Sequence, residues 1–192
     1  MSTLKVDEIL KRTGTGTITV GQSGDTISIP SGATLSVAGS SVTAVDNTPA
    51  FEAERTSDQT PSNNTATKIQ FNSELFDTDN AYDSSTNHRF TPQTAGKYFV
   101  YGSVMGDAES ITDLEVNQLM IYKNGSMVVN SAINYGGNDI DFSTVLVHAV
   151  MDMNGSSDYL ELYVRLKSSN QPTIVGNPDR RTMFGAYKLI GV

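Results

Sequence analysis

Along residues 90–105, Phe-Thr-Pro-Gln-Thr-Ala-Gly-Lys-Tyr-Phe-Val-Tyr-Gly-Ser-Val-Met, the apolar positions fall on both parities of an extended chain. Pro92 and Gly96 bracket a turn. After it, Tyr98, Val100 and Val104 point to one face of a strand, and Phe99, Tyr101 and Met105 point to the other. A half-solvated sheet needs only one apolar face, so this strand expects cover on both. Residues 143–151 and 183–190 have the same two-faced character. Residues 159–167 instead alternate cleanly, with Leu160, Leu162, Val164 and Leu166 inward and Glu161, Arg165 and Lys167 outward, as in a water-facing outer sheet. The two-faced strands are therefore assigned to an inner sheet, one side against the outer sheet and the other against a further copy of the chain. The candidates for that contact are Tyr98, Val100, Tyr101, Leu146, Val147, His148, Phe184 and Tyr187.

No stretch shows helical periodicity. Eight main strands are expected near residues 51–55, 67–72, 97–105, 117–123, 127–132, 142–151, 159–167 and 182–190, with tight hairpins at Asn124-Gly125 and Asn154-Gly155. Upstream lies an internal repeat. Thr17-Ile18-Thr19-Val20, Thr26-Ile27-Ser28-Ile29, Thr34-Leu35-Ser36-Val37 and a degenerate Val42-Thr43-Ala44-Val45 recur at a nearly constant step, separated by Gly21, Gly24, Gly32 and Gly39 where a turn needs positive φ. Each unit supplies one apolar edge and no second layer, so one chain cannot bury these edges alone. Three copies winding about one axis would do so and make a thin β-stalk. The expected organisation is residues 1–16 as an N-terminal segment, 17–48 as stalk and 49–192 as head. The N-terminal segment reads either as a tail ordered on contact or as an anchor onto a larger assembly.

Composition narrows the chemistry. The chain of 192 residues has no Cys, which excludes disulfides, thiolate metal sites and a cysteine nucleophile. A net charge of −8 and the lack of a basic run argue against nucleic acid as a partner. Charges interrupt the first twelve residues, so neither a signal peptide nor a membrane span is expected there, and the product is expected to be made in the cytoplasm. There are two histidines: His148 reads as a core or interface residue and His88 as solvated in a polar turn. No Ser-His-Asp arrangement, phosphate loop or metal-ligand spacing appears, so no catalytic residue, cofactor or metal is expected and the chain is not read as an enzyme. Asp77, Asp79 and Asp83 sit close together, but they lack the rest of a calcium loop and read better as turn residues.

Phe71, Asp77, Tyr82, Phe90, Gly96 and Tyr98 follow a spacing that resembles the complement globular-head domains, relatives of the tumour necrosis factor jelly roll. Seven residues rather than six precede Phe90; Val100 stands where Phe is usual, and Gly102 where an aromatic is usual, with Tyr101 one step early. Pro49-Ala50-Phe51-Glu52-Ala53 and Phe184-Gly185-Ala186-Tyr187-Lys188-Leu189-Ile190 also look like the family's first and last strands. The resemblance covers residues 49–192. It implies an all-β jelly-roll sandwich of ten strands, counting short ones near Leu75 and Tyr82, assembled as a homotrimer about the inner sheets. With the stalk and the missing secretion signal, the chain looks like a bacteriophage fibre or spike, a virion structural protein. The run of residues 29–37 is similar to sequences common in phage tail-fibre proteins.

Strand parity then places the connections. If the last strand runs toward the head's termini, residues 106–116, 133–141 and 167–182 gather at the far end, and the two Asn-Gly turns lie at the near end. Long loops on a rigid scaffold are where recognition concentrates. The candidate binding residues are Asp107, Glu109, Asp113, Glu115, Asn138, Asp139, Asp141, Asn170, Asn177 and Arg180. Glu109, Asp113 and Glu115 read as a solvated acidic loop, so binding is expected to depend on salt or divalent cations. The expected partners are two further copies of the chain, other virion proteins through the N-terminal segment, and a host-surface glycan or protein. Membrane insertion is not expected. A capsid-decorating or adaptor trimer is the alternative, and a glycan-cleaving enzyme a third class.

Overall fold

The computed structural model describes residues 28, 29, 31–34, 47–109, 113–136, 140–176 and 179–190. The chain divides into two compact units, Met1–Thr43 and Ala44–Val192. In the first, Ser31 and Gly32 form a turn with Gly32 at φ 86°, as its place between repeats predicts. The N-terminal segment and most of the repeats lie outside the described residues.

All regular elements among the described residues of the second unit are strands: β1 (Ala50–Glu54), β2 (Thr67–Lys68), β3 (Ser73–Asp77), β4 (Tyr82–Asp83), β5 (Arg89–Phe90), β6 (Ala95–Asp107), β7 (Val116–Lys123), β8 (Ser126–Asn134), β9 (Phe142–Asn154), β10 (Leu160–Lys167), β11 (Thr173–Ile174) and β12 (Met183–Lys188). They form two sheets. Sheet I has the order β11-β6-β12-β1-β3 with β9 also on β6; sheet II has β4-β5-β10-β7-β8 with β2 on β10. This is a jelly-roll sandwich. The three two-faced strands, β6, β9 and β12, share sheet I, and the alternating β10 lies in sheet II.

The expected strand at residues 67–72 is shorter, because the chain changes sheets there. Thr67 and Lys68 pair with β10, the Ile69 amide still donates to Leu162, and the Asn72 amide already donates to Glu54 in sheet I. The two-residue strands β5 and β11 went unpredicted, since two residues carry no period.

The core fills the space between the sheets. Leu160, Leu162, Val164 and Leu166 are fully buried from sheet II, and Phe51, Ala53, Tyr98, Val100, Val104 and Phe184 from sheet I. Phe51 of β1 stacks on Tyr82 at 4.7 Å and on Phe90 at 4.5 Å, both from sheet II, and meets Phe184 edge-on at 4.9 Å. One aromatic cluster thus ties the sheets together.

Parity also corrects the contact candidates. Tyr98, Val100, Val147 and Phe184 belong to the core, whereas Tyr101, Leu146, His148 and Tyr187 lie on the outer face of sheet I. Leu146 is 63% exposed and Val147 only 4%, because neighbouring residues of an extended chain face opposite ways.

At the end where residue 47 meets Lys188, the Asn124-Gly125 turn has both residues at positive φ, 52° and 77°, as a two-residue hairpin turn requires. The Asn154-Gly155 turn is not the expected hairpin, because it carries the chain from β9 in sheet I across to β10 in sheet II. Gly155 has φ 70°, and a Cβ there would lie 2.2 Å from the Ala95 amide nitrogen, so only glycine fits. Asp158 joins the two turns. Its carboxylate accepts from Lys123 Nζ at 2.8 Å, Asn124 Nδ2 at 2.8 Å and the Asn154 amide at 3.0 Å. The hydrogen bonds from Lys123 and Asn124 hold the Asp158 carboxyl below its ordinary pKa.

Two predictions follow from this packing. Phe51→Ala should cost about 3–5 kcal/mol in urea unfolding, whereas Lys97→Ala, which breaks an exposed ion pair with Asp152, should change stability by about 0.5 kcal/mol or less. A carboxyl with a depressed folded pKa stabilises above its unfolded value, about 4, and loses that contribution as pH falls through the folded one. Asp158→Asn should therefore lower the melting temperature at neutral pH, with the gap to the unsubstituted protein closing in acid.

Candidate functional site

Sheet I sets the geometry of the far end. β6 and β9 pair antiparallel, with Asp107 opposite Phe142 at that end and Ala95 opposite Asn154 at the other. β11 pairs with β6 at Thr173 and Asp107, and Val116 pairs with both Asn134 and Lys167. The connections 108–115, 135–141 and 168–182 therefore converge there, while the turns at Gly125 and Gly155 lie opposite. Backbone bonds knit the loops together: the Ala108 amide donates to Asp141, Leu114 to Ile140, Glu115 to Lys167 and Tyr135 to Glu115.

The structure places the predicted residues unevenly. Asp107, Glu109, Asp113, Glu115, Asp141 and Asn170 come together at this end. Asn138, Asp139 and Asn177 lie outside the described residues. Arg180 reaches back onto the outer face of sheet I, 3.3 Å from Glu52, whose other carboxylate oxygen accepts the Tyr101 hydroxyl at 2.6 Å. Burial, and then that carboxylate, push the Tyr101 phenol up.

The acidic loop is not simply solvated. Asp107 Oδ1 accepts the Glu109 amide at 2.6 Å, Glu109 accepts the Thr173 hydroxyl, Asp113 accepts the Ser169 amide at 2.6 Å, and Glu115 pairs with Lys167. Their partners are a neighbouring amide for Asp107, the 168–182 loop for Glu109 and Asp113, and the end of β10 for Glu115. Among the described residues no group of His, Asp or Glu is arranged to hold a metal. Asp77 and Asp83 are the last residues of β3 and β4, and each closes the turn that follows. The Asp77 carboxylate accepts the Asp79 and Tyr82 amides, and that of Asp83 accepts the amides of Ser85, Thr86 and Asn87. Those bonds, led by the one from Thr86, hold the Asp83 carboxyl well below the usual range. His88 is half-buried rather than solvated, with Nδ1 donating to the Phe71 carbonyl at 3.1 Å.

Sequence reasoning missed a fourth loop. Residues 55–66 also lie at this end, where Asn63 Nδ2 donates to the carbonyls of Ser168 at 2.7 Å and Asn170 at 3.1 Å, and Asn63 Oδ1 accepts the Ser168 amide at 3.2 Å. Gln171 donates to the Pro61 carbonyl, and the Gly176 amide donates to Asp58 Oδ1 at 2.9 Å. The same parity count, carried back to β1, would have found the loop, since Glu54 pairs with Met183 at the far end. Between the loops lies a cleft of 450 Å³ lined by Thr60, Glu109, Asn170, Gln171 and Thr173.

The outer face of sheet I is the other candidate surface. Phe99 pairs with Val150 and Tyr187, and Tyr101 with His148. The Phe99 ring lies 5.5 Å from that of Tyr187 and 6.1 Å from His148. Phe142, Leu146 and Val150 are each more than half exposed on β9. On β8, the open edge of sheet II, Met127, Val128 and Ile133 are exposed as well.

The family model for the C1q domain matches residues 50–189. Among solved structures, the globular domain of zebrafish complement 1qA protein is similar at TM-score 0.54 and 14% identity, over 73% of this chain and 97% of that one. Murine APRIL at pH 8.0 is similar at TM-score 0.52 and 10% identity, over 73% and 98%. Among curated proteins none matches this sequence significantly.

Removing the Asn63 clamp by Asn63→Ala should speed amide exchange in residues 168–173 by about 10–100-fold, since up to three hydrogen bonds of about 1 kcal/mol each hold that loop. Deuterium exchange by mass spectrometry checks this, and exchange in β10 should stay unchanged.

Proposed function

The chain belongs to the C1q domain family across residues 50–189; from that head and from the repeats that precede it in sequence, we propose that it is a homotrimeric bacteriophage virion protein, a fibre or spike whose far-end loops attach to the host surface. The observation that carries the trimer is the apolar outer face of sheet I, where Leu146 is 63% and Tyr187 36% exposed. Such a contiguous surface calls for cover. The exposed apolar residues of the β8 edge form a different surface from that face. A copy that seats its edge on a neighbour's face makes a head-to-tail contact, and a rotation of a third of a turn per copy closes such contacts into a three-membered ring.

The virion setting is supported by the sequence of the N-terminal quarter, whose short repeats cannot bury their apolar edges in one chain, and by the run of residues 29–37. The N-terminal segment joins the trimer to other virion proteins, and the assembled virion is where the protein resides. The head binds and does no chemistry. Three copies present every loop three times, so modest contacts from each add through multivalency.

A capsid-decorating or adaptor trimer is the second reading. It is favoured by the loop carboxylates, each of which has one oxygen engaged inside the head.

Light scattering should give three times the chain mass of 20.6 kDa. Leu146→Glu should dissociate the trimer into folded monomers, whereas Val147→Glu should unfold the sandwich, because it puts a charge into the core at a cost of several kcal/mol. A stable unsubstituted monomer at micromolar concentration would sink the architecture. Shortening the 108–115 loop should abolish attachment to host cells while the trimer persists; trimer that adds only to capsids or tails would favour the second reading.

A further inference from the structure

The cleft at the far end has a chemistry narrow enough to select a ligand. Its lining is Thr60, Glu109, Asn170, Gln171 and Thr173: two hydroxyls, two amides and one carboxylate. No cation is among them, and the chain carries a net charge of −8, so phosphate, sulfate and carboxylate ligands would be repelled. Neither an aromatic nor a large aliphatic side chain lines it, so an apolar ligand would gain little there. A divalent cation wants several carboxylate or carbonyl oxygens at once, whereas one carboxylate lines the cleft and it already accepts the buried Thr173 hydroxyl.

The walls are also set in advance. Glu109 is held at φ 72°, a left-handed conformation uncommon for a side chain of its size, by the Asp107 carboxylate on its amide. Thr173 then fixes one of its carboxylate oxygens. On the opposite wall the Asn63 side chain and the Ser168 hydroxyl, the latter at 2.6 Å, both donate to the backbone carbonyl of Asn170. Gln171 Nε2 is tied to the Pro61 carbonyl. The backbone is thereby spent on the scaffold, leaving the second Glu109 oxygen, the Asn170 amide and the Thr60 hydroxyl for a ligand. A carboxylate acceptor facing an amide that both donates and accepts is matched by adjacent hydroxyl groups, each of which does both.

We propose that this cleft is a subsite for one neutral, hydroxyl-rich residue of a glycan. The inference rests on the reading of the far end as an attachment surface and names what that surface holds. A cleft of 450 Å³ is at the small end of ligand sites, suited to one or two sugar rings. Without an aromatic platform each site is weak, with Kd on the order of 1 mM, and repetition around the trimer supplies the avidity.

The test is the full chain on a glycan array carrying neutral hexose and N-acetylhexosamine oligosaccharides beside sialylated and sulfated ones. Neutral glycans should be bound. Glu109→Ala and Asn170→Ala should each reduce that binding by at least about tenfold, the loss expected when a hydrogen bond to a charged or well-placed group is removed. Both side chains are exposed, and the melting temperature of each variant should stay within a few degrees; Lys97→Ala, at the other end of the head, is the control that should bind normally. Binding confined to sialylated or sulfated glycans, no neutral binding at any printing density, or undiminished binding by both variants would overturn the proposal. Chain that coats host cells but ignores neutral glycans removes the subsite and leaves attachment standing; chain that binds neutral glycans through the cleft yet coats no cells removes attachment and leaves the subsite.

Discussion

A single strand with two apolar faces governs this molecule. β6 is thirteen residues long, pairs with both β9 and β12, and turns Tyr98, Val100 and Val104 into the core while Phe99 and Tyr101 face outward. Because side chains alternate along a strand, neither set can be hidden without presenting the other. The inward set is satisfied by sheet II through Leu162 and its neighbours. Gly102 shows how close that contact is, since a Cβ there would lie 2.3 Å from a Leu162 methyl. Among the described residues no layer covers the outward set, and in the proposed trimer its burial is a matter between molecules.

The rest of the head is arranged around that strand's two ends. Tight turns fastened by Asp158 close one end, where geometry leaves little room for variation: Gly155 lies against the Ala95 backbone. At the other end four loops meet, and polar side chains that bond to backbone add to the apolar anchors Ala108, Leu114 and Ile174 in holding them. Asn63 and Asp107 act there as braces. Each brace stiffens the loops above the core, because it satisfies backbone groups that water would otherwise compete for.

Much of this was legible in the alternation of residues. The two-faced character of β6, β9 and β12 follows from counting parity, as does the assignment of β10 to the opposite sheet, and the convergence of three loops needed only antiparallel order. Parity alone could not say which face of a two-faced strand looks inward. Tyr98 and Tyr101 are equally apolar on paper, and contacts from Phe90 and Leu162 decide between them. Residues 67–72 misled because Ile69 and Phe71 continue the alternation across a change of sheet. Asn63, Gln171 and Thr173 were missed for another reason: polar loop residues advertise no period, and their roles depend on partners up to about a hundred positions away.

β8 has a consequence for how the protein must be made. Its nine residues, Ser-Met-Val-Val-Asn-Ser-Ala-Ile-Asn, contain no charge and no proline, and they form the open rim of sheet II. Rims of this kind accept extended segments that meet them, and neither charge nor proline guards β8; the one guarding device is the register shift at Val128, which β7 passes over between Ile121 and Tyr122. For a freshly synthesised chain of the proposed trimer, correct association therefore competes in time with indiscriminate strand pairing. Both speed up as nascent copies accumulate, so the yield turns on how quickly the correct contact covers the rim, whatever the final stability of the assembled form.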